Sequence, residues 1–372
     1  MKEERYFIRE PEEIITPALV YYKEIIEENI HKMIEIAGDS RRLWPHVKSH
    51  KMEALVQLQI EAGITKFKAA TIAEAEMAAR AGAEDVLVAY PLAGVNIRRF
   101  CQLKRVYPST RFWAVGDDLK EVRKLGQAAG EGSMEVDFLA DVNPGMDRTG
   151  VSLGGLEKFY KEAAEIPGIK VRGFHCYDGN LGVTDLQERE KRVAGLDREL
   201  LSIGERLEQK GYGCSVLVLG GTPSFPCHAK QERGFLSPGT SLLWDAGYQE
   251  KYPDEPFVPA GLLLTRVVSR PRRGYFTIDL GYKGIAAEMP QERRGILLGV
   301  PHAYPWAQSE EHWVWRMEEG YENLTPPVGS TLKVIPTHIC PTTALYPEAL
   351  VVEKGELIGS WRVSARDRKL AL

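Results

Sequence analysis

Apolar positions follow two alternating patterns along the first two thirds of the chain. Short apolar runs typical of buried strands alternate with longer segments in which apolar residues return every three or four positions, as in amphipathic helices. The predicted strands are 18–22, 42–47, 66–69, 85–90, 110–115, 136–141, 171–175 and 216–219. The predicted helices are 52–62, 72–81, 95–106, 119–129, 155–164 and 187–210. This order predicts parallel strands that are joined by crossover helices.

Eight such strands in roughly 200 residues match the size and repeat of a (β/α)8 barrel. We assign this barrel to residues 16–244. A doubly wound open sheet is the second interpretation, because periodicity does not report whether a sheet closes. Segment 18–22 is also open to a different assignment. It could belong to the second domain, in which case 234–244 would supply the eighth strand.

The pattern changes after Trp244. Residues 248–259 are rich in Pro, Asp and Glu, as a linker is, and helical periodicity is nearly absent beyond them. Short strand-like runs follow at 261–268, 275–280, 295–298, 312–317, 331–335, 349–353 and 356–363. Residues 245–372 are therefore predicted to form a smaller all-β domain, to which residues 1–15 could also belong.

Composition narrows the class of protein. The chain has 372 residues, of which 44% are hydrophobic and 27% charged, as in ordinary globular proteins. Its net charge of −4 gives no reason to expect nucleic acid or an anionic membrane as a partner. We also expect no secretory signal and no membrane span. Five cysteines without a CxxC spacing argue against a disulfide framework and favour a reducing cytoplasm.

Candidate chemistry begins at residues 43–51, where an apolar run ends in a cluster of cationic and imidazole side chains. Lys48 is expected at the carboxyl end of a strand, where the active sites of α/β proteins lie. A lysine that is partly desolvated and close to other cations loses its proton more readily. It can then act as an amine nucleophile toward an aldehyde such as that of pyridoxal phosphate (PLP).

A glycine pair follows the predicted strand 216–219. Gly220 and Gly221 would let backbone N–H groups approach an anion closely, and Thr222 adds a hydroxyl donor. In barrels, the loops after the last two strands often hold a phosphate. The alternative is a plain turn, since Gly-Gly-Thr-Pro favours turns anywhere.

Two more predicted strand ends carry candidate residues. A Pro-Gly turn after 136–141 presents Arg148, whose forked guanidinium suits a phenolate or carboxylate, although a surface ion pair is the alternative. His175 and Tyr177 lie two residues apart and are expected to share a face, where both could approach an aromatic cofactor. For His175, structural packing at the barrel mouth is the competing interpretation.

A possible metal site follows the predicted strand 331–335. On an extended chain, positions i and i+2 point the same way, so His338 and Cys340 could hold Zn²⁺ through imidazole and thiolate. Two protein ligands would leave open positions for water or substrate, as in catalytic sites. The alternative is a buried cysteine beside a hydrogen-bonded histidine.

Together these motifs resemble the D-threonine aldolase and D-serine dehydratase family of fold-type III PLP enzymes, which are relatives of alanine racemase. The resemblance covers nearly the whole chain and rests on residues 45–51, 145–150, 220–223 and 338–342. It implies a PLP barrel with a β-domain, in a homodimer whose active site is near the subunit boundary. It also implies roles for particular residues: Lys48 as the Schiff-base lysine, Arg148 beside the phenolic oxygen of PLP, Gly220, Gly221 and Thr222 at its phosphate, and Zn²⁺ or Mn²⁺ at His338 and Cys340.

The resemblance implies cleavage of a β-hydroxy-D-amino acid to glycine and an aldehyde, with Lys48, Arg148 and Tyr177 as catalytic residues. The His-x-Cys pair is more like the dehydratases, which would convert D-serine or 3-hydroxy-D-aspartate to a 2-oxo acid and ammonia. Residues 177–179 and 340–342 look more like sequences grouped with the aldolases. An amino-acid racemase, a non-catalytic PLP carrier and a metal-dependent hydrolase are further alternatives.

Overall fold

The computed structural model describes residues 3–372, which form two compact units. One unit combines the N-terminal segment up to Ile30 with Thr240–Arg366, and the other contains His31–Gly239 and Asp367–Leu372. The division falls within helix α1 (Lys23–Ala37), which follows strand β1 (Ala18–Tyr22). None of the described helices combines the length and apolar character that crossing a membrane requires.

The unit that contains His31–Gly239 is built on a curled parallel sheet. Its strands are β2 (Lys66–Ala69), β3 (Asp85–Val88), β4 (Arg111–Gly116), β5 (Val136–Asn143), β6 (Val151–Ser152), β7 (Ile169–Cys176), β8 (Val216–Leu219) and β9 (Phe235–Leu236). Neighbouring strands follow the order β2-β3-β4-β5-β7-β8-β9, and the short β6 pairs with β5.

Residues 43–46 close this sheet. Leu43 forms a parallel bridge with Leu236 of β9, and His46 forms one with Lys68 of β2. The Trp44 N–H donates to the Leu236 carbonyl at 2.7 Å, and the Lys68 N–H donates to the Pro45 carbonyl at 2.8 Å. The segment therefore joins the two edge strands, and the predicted (β/α)8 barrel is confirmed.

Helices connect successive barrel strands. They are α2 (Glu53–Glu61), α3 (Ile72–Arg80), α4 (Val95–Val106), α5 (Leu119–Glu131), α6 (Leu153–Ala164), α7 (Leu186–Gln209) and the short α8 (Phe225–His228). The first six agree with the predicted helices to within two residues at each end. Side-chain caps fix several of their starts; for example, Thr71 accepts the Glu74 N–H at 3.1 Å at the start of α3.

Large side chains fill the barrel interior. Trp44, Leu87, Trp113, Leu139 and Val218 belong to one buried cluster. The rings of Trp44 and Trp113 meet edge to face with centroids 5.5 Å apart. Because the interior is packed, a binding site on this unit must lie at an end of the barrel or on its outside.

The other unit contains a nine-stranded sheet. Besides β1 its strands are β10 (Gly261–Ser269), β11 (Tyr275–Ile278), β12 (Gly295–Leu298), β13 (Ala303–Gln308), β14 (Trp313–Met317), β15 (Thr331–Pro336), β16 (Glu348–Glu353) and β17 (Glu356–Arg362). The main path runs β13-β14-β11-β10-β1-β16-β17, and β15 pairs with β10 and β12. Two helices, α9 (Ala246–Lys251) and α10 (Ile339–Leu345), complete the unit.

Strand β1 belongs to this sheet and not to the barrel. It pairs antiparallel with β10 and parallel with β16. All five of its residues are buried, as in any strand that is covered on both faces, so its apolar run cannot indicate which sheet it joins. The strand count that placed 18–22 in the barrel is wrong. The alternative, in which 234–244 supplies the eighth strand, is confirmed by β9.

The segment predicted as a linker, 248–259, begins with regular structure. Its first residues belong to α9, which starts after Asp245. The Asp245 carboxylate accepts the Tyr248 N–H at 2.8 Å, so the helix has a side-chain cap. Composition alone suggested a linker because the Pro and Asp residues that follow the helix dominate the window.

Candidate functional site

Lys48 lies in a tight turn, Val47–Ser49, directly after the segment that closes the barrel. His46 begins the turn, and its Nδ1 accepts the Lys48 N–H at 3.3 Å. Beyond the turn, Lys51 forms an ion pair with the fully buried Glu74. The turn is therefore held at both ends, and Lys48 follows a strand-like segment as predicted.

Three cationic side chains surround the ring of Tyr177. Lys48 Nζ lies 5.7 Å from the ring centroid, Lys68 Nζ lies 5.9 Å from it, and Arg148 Cζ lies 4.5 Å from it. Cations within about 6 Å of an aromatic ring are attracted to its face. The structure thus brings together Lys48, Arg148 and Tyr177, which the sequence had placed on three different loops.

His175 lies at the end of β7 and is buried. Its Nδ1 is 2.7 Å from a carboxylate oxygen of Asp141, and its Nε2 is 3.5 Å from Lys68 Nζ. Burial lowers the pKa of His175, while the bond to Asp141 acts in the opposite direction. A neutral ring that donates to Asp141 and accepts from Lys68 satisfies both contacts. Lys68 touches His175 and lies near Tyr177, and the shared face of His175 and Tyr177 stays a prediction.

Lys68 was missed by the sequence reasoning. Only 2% of the residue is exposed. Burial, followed by repulsion from Lys48, lowers the pKa of Lys68 to about 7, although Asp141 and Asp178 oppose the shift. The available signal was the repeat of lysine at positions 66 and 68 in a short strand, because alternate residues face the same side.

The loop that carries Arg148 is held by its own polar groups. The Asn143 side-chain carbonyl accepts the N–H groups of Gly145 and Asp147 at 2.9 and 3.0 Å. At Gly150, φ is +101° and a Cβ would lie 2.5 Å from the Asn143 nitrogen, so this position requires glycine. The exposed Arg148 therefore projects from a well-defined turn.

The Gly220-Gly221 turn has a structural role that the sequence did not indicate. Its N–H groups already donate within the protein, that of Gly220 to the Cys176 carbonyl at 2.9 Å and that of Gly221 to Ser224 Oγ at 3.0 Å. Gly220 has φ +76°, so the pair is required for backbone conformation and close packing. Thr222 Oγ1 accepts the Gly239 N–H at 3.0 Å. The assignment of this turn to a phosphate stays a prediction.

A second glycine turn, Pro238-Gly239, lies beside the Lys48 turn and was also missed. The Pro238 carbonyl accepts the His46 N–H at 2.7 Å. A Cβ on Gly239 would lie 3.3 Å from the Cβ of His46. The loops after β8 and β9 thus meet next to Lys48, and the loops after the last two strands are where barrels often bind phosphate. The Pro-Gly pair that follows the short apolar run at 235–236 was the available signal.

Below the glycine pair runs a buried chain of polar groups that no sequence spacing indicated. Asp178 accepts the Ser224 hydroxyl at 2.6 Å through one carboxylate oxygen and lies 3.0 Å from His228 Nε2 through the other. On the other side of the ring, His228 Nδ1 is 2.7 Å from an Asp197 oxygen. All four residues are buried.

The predicted metal pair lies in the unit that contains Thr240–Arg366. His338 precedes α10 in an extended conformation, whereas Cys340 lies in the first turn of that helix. The expectation of an extended His-x-Cys segment is therefore wrong. The two side chains are nevertheless close enough for Cys340 to raise the pKa of the His338 imidazole. A helical turn at residues 339–341 brings the two side chains together in place of strand alternation.

Polar neighbours orient this pair. His338 Nδ1 is bonded to the Glu288 carboxylate, and Thr240 Oγ1 lies 3.4 Å from Cys340 Sγ. Burial lowers the pKa of His338, but Cys340 and Glu288 raise it to about 9. Between the two residues, the Ile339 N–H donates to the buried Asp245 carboxylate at 3.0 Å.

The chemistry of this donor set fits a divalent metal. A carboxylate on Nδ1 is the usual outer partner of a ligating histidine and leaves Nε2 to bind the ion. Imidazole nitrogen with thiolate sulfur suits Zn²⁺. No group of three or more His, Cys, Asp or Glu side chains arranged to hold a metal occurs among residues 3–372. An ion here would complete its coordination with water or another ligand.

Sequence comparison identifies the family. The profile of the alanine racemase N-terminal domain matches residues 23–246, and that of a putative serine dehydratase domain matches residues 260–352. The first match spans more than half of the chain, which therefore belongs to the alanine racemase family of fold-type III PLP enzymes. The resemblance inferred from the four motifs is confirmed.

Individual relatives cover almost the entire chain. D-threonine aldolase from Arthrobacter sp is 27% identical over 360 residues, which are 94% of this chain and 92% of that protein. The crystal structure of D-threonine aldolase from Filomicrobium marinum superposes with a TM-score of 0.87 at 26% identity and covers 95% of this chain and 96% of that one.

A dehydratase is also similar. D-threo-3-hydroxyaspartate dehydratase from Delftia sp. is 22% identical over 372 residues, with 93% of this chain and 96% of that protein covered. Its fold agrees with a TM-score of 0.83 over 95% of this chain and 98% of that one. A further structure of that dehydratase is of a cysteine-to-alanine mutant in the metal-free form.

Proposed function

We propose that the chain is a PLP- and divalent-metal-dependent lyase that cleaves β-hydroxy-D-amino acids into glycine and an aldehyde. The observation that carries the proposal is the convergence of Lys48, Arg148 and Tyr177 at one end of a barrel of the alanine racemase family. Two similar proteins named D-threonine aldolase cover nearly the whole chain and support the aldolase reaction.

The barrel residues would each have a separate task. Lys48 would supply the amine that holds the PLP aldehyde. Arg148 would donate to the phenolic oxygen, and Tyr177 would lie against the cofactor pocket together with His175. Gly220, Gly221 and Thr222 would shape the phosphate site. When bound, PLP would supply an electron sink for the pair left on Cα as the Cα–Cβ bond breaks.

His338 and Cys340 would hold the metal, Zn²⁺ or Mn²⁺. A Lewis acid lowers the pKa of a hydroxyl group that is bound to it. The β-hydroxyl proton of a β-hydroxy amino acid must leave before its Cα–Cβ bond can break. Support comes from the Glu288 carboxylate on His338 Nδ1 and from the dehydratase structure described as metal-free. Elemental analysis of gently purified protein tests this assignment.

The second candidate function is dehydration of a 3-hydroxy-D-amino acid to a 2-oxo acid and ammonia. The His-x-Cys pair and the similarity to D-threo-3-hydroxyaspartate dehydratase favour it. Product analysis separates the two: D-threonine should give glycine and acetaldehyde, whereas 2-oxobutanoate, or pyruvate from D-serine, would support dehydration. Racemisation that a chelator does not affect would indicate a racemase. Full PLP occupancy without metal or turnover would indicate a carrier.

We further propose that the enzyme acts on this small substrate as a homodimer in the cytoplasm. The family resemblance implies the dimer, and the five cysteines are all free thiols, as a reducing compartment would allow. Light scattering should then give twice the chain mass of 41.7 kDa. A mass equal to one chain would contradict the dimer without affecting the proposed reaction.

A further inference from the structure

The Gly220-Gly221 turn is enclosed between two rings. On one side lies Tyr177, since a Cβ on Gly221 would be 2.7 Å from its Cε2 atom. On the other side lies His228, since a Cβ on Gly220 would be 2.7 Å from its Cδ2 atom. His228 is fully buried and has no part in the proposed chemistry. Its place below the turn therefore needs a separate explanation.

The charge of His228 is set by two carboxylates. Burial alone would lower the pKa of the ring, but Asp178 and Asp197 raise it to about 9. Lys68 is a further charged group that attracts Asp178, and burial holds the neighbouring Cys176 thiol neutral by raising its pKa. At neutral pH the ring is an imidazolium that donates to both carboxylates. A buried charge of this kind is tolerated only with its partners in place.

Hydrogen bonds connect this ion to the turn without a gap. Asp178 accepts from both His228 and the Ser224 hydroxyl, and Ser224 Oγ accepts the Gly221 N–H. At the far end of these hydrogen bonds, Asp197 connects His228 to helix α7. Tyr177 and Asp178 are adjacent in sequence and directly follow β7. The Tyr177 ring packs against Gly221, and the Asp178 carboxylate supports the same turn through Ser224.

We infer that His228 is a positioning residue for the proposed phosphate site: with Asp178, Asp197 and Ser224 it holds residues 220–222 in the conformation that receives the phosphate of PLP. The inference rests on the proposed function, because the phosphate belongs to the proposed cofactor. His228 itself need not touch PLP. Its effect should therefore appear in the recognition of the phosphate and not in the recognition of the pyridine ring.

The decisive comparison is the affinity for PLP against that for pyridoxal, which lacks the phosphate. In Asp197→Asn, whose side chain keeps its size and can still accept from His228, we expect PLP to bind about tenfold more weakly because the hydrogen bond is no longer charge-assisted. Pyridoxal affinity should change less than about twofold. Absorbance titration of the full-length protein measures both. An equal loss for both ligands, or no loss for PLP, would overturn the inference.

A matched control lies elsewhere in the same barrel. Asp137 in β5 pairs with Arg111 and Arg172, away from the glycine turn. Asp137→Asn should lower the free energy of unfolding, while the preference for PLP over pyridoxal should stay at the wild-type value. His228→Gln should lose this preference, and if it does not fold, Asp197→Asn still carries the test.

The pH dependence supplies a readout that a purely structural role would not move. As pH rises through about 9 the imidazolium loses its proton, and the preference of the wild type for PLP should decline. In Asp197→Asn, which has one carboxylate fewer, the decline should occur at lower pH. Coincident curves would refute the role of His228. If the wild type binds neither ligand, the proposed function fails; if it prefers PLP and both variants keep that preference, only this inference fails.

Discussion

The candidate PLP site and the candidate metal pair differ in how much of their geometry comes from the fold. Around Lys48, the neighbours Lys68 and His175 are almost fully buried and bonded to each other. In the other unit, His338 and Glu288 each expose 45% of their side chains. Packing fixes the first group before any cofactor arrives. The second group has fewer constraints, so we expect its final geometry to depend on the ion it binds.

This difference affects protonation as well. Burial is the largest influence on the pKa of Lys68 and of His175, so substitutions there should change how the stability of the protein depends on pH. At the metal pair, substitutions should mainly change the metal content of the protein.

The strongest effect is expected for Lys48→Ala. The variant should form no covalent adduct with PLP at Lys48, and turnover should fall below detection, because the amine nucleophile is gone. The visible absorbance of the PLP complex and the steady-state rate measure this. A variant that keeps covalent PLP and activity would remove Lys48 from its proposed role.

At the metal pair, Cys340→Ala should lower turnover by about a hundredfold or more, since the Lewis acid is lost, while PLP binding is unchanged. Metal content and PLP absorbance are measured on the same sample. Cys101→Ala, which alters another free cysteine, is the control and should keep its metal. Full activity in metal-free Cys340→Ala protein would contradict the metal role.

Removing the buried lysine should change stability in a pH-dependent way. The pKa of Lys68 is about 7 in the folded protein against an ordinary value of 10.5, so the unfolded chain binds more protons between these values. Stability of the PLP-free protein should therefore rise with pH across this window, by up to about 1.4 kcal/mol per unit. Lys68→Met should lack this rise and should be more stable than the wild type near pH 7.

The control for Lys68 is in the same strand. Lys66 begins β2 and is paired with Asp85 at 2.8 Å. Lys66→Met should lower stability, but stability should still rise between pH 7 and 10. Chemical denaturation at a series of pH values measures this. If stability depended on pH in the same way in the wild type and in Lys68→Met, the pKa of Lys68 would not be lowered in the folded protein.

The smallest effect concerns close packing at the glycine turn. Gly221→Ala would place a Cβ 2.7 Å from Tyr177, and we expect PLP binding to weaken by about 1–3 kcal/mol. Gly195→Ala meets no atom within 4 Å in helix α7 and should raise stability by about 0.5–1 kcal/mol. Equal PLP affinity in both variants would mean that the glycine turn can accommodate a Cβ at position 221.

Local pattern was sufficient for most of the barrel and for its central lysine. The helices followed from the periodicity of apolar positions, and the position of Lys48 after a strand-like segment followed from the apolar run before it. Strand β1 could not be placed, because a strand buried on both faces looks the same in either sheet. The His-x-Cys pair was found, but its helical turn was not, since two residues carry no periodicity.

The remaining site residues depend on contacts between distant parts of the chain. Asp197 and His228 are 31 positions apart, and Asp178 and His228 are 50 apart, on elements that only the closed barrel brings together. No spacing rule connects them. The lysine repeat in β2 was a usable signal, but recognising Lys68 as buried required knowing which face of that strand points into the barrel.

Covalent trapping shows whether Lys48 is the amine that carries PLP. The PLP-loaded protein is reduced with borohydride, digested and analysed by mass spectrometry. We predict the pyridoxyl phosphate mass on the peptide that contains Lys48 and on no other. Modification of Lys68 instead, which lies near the same Tyr177 ring, or of neither lysine, would show that Lys48 does not carry PLP.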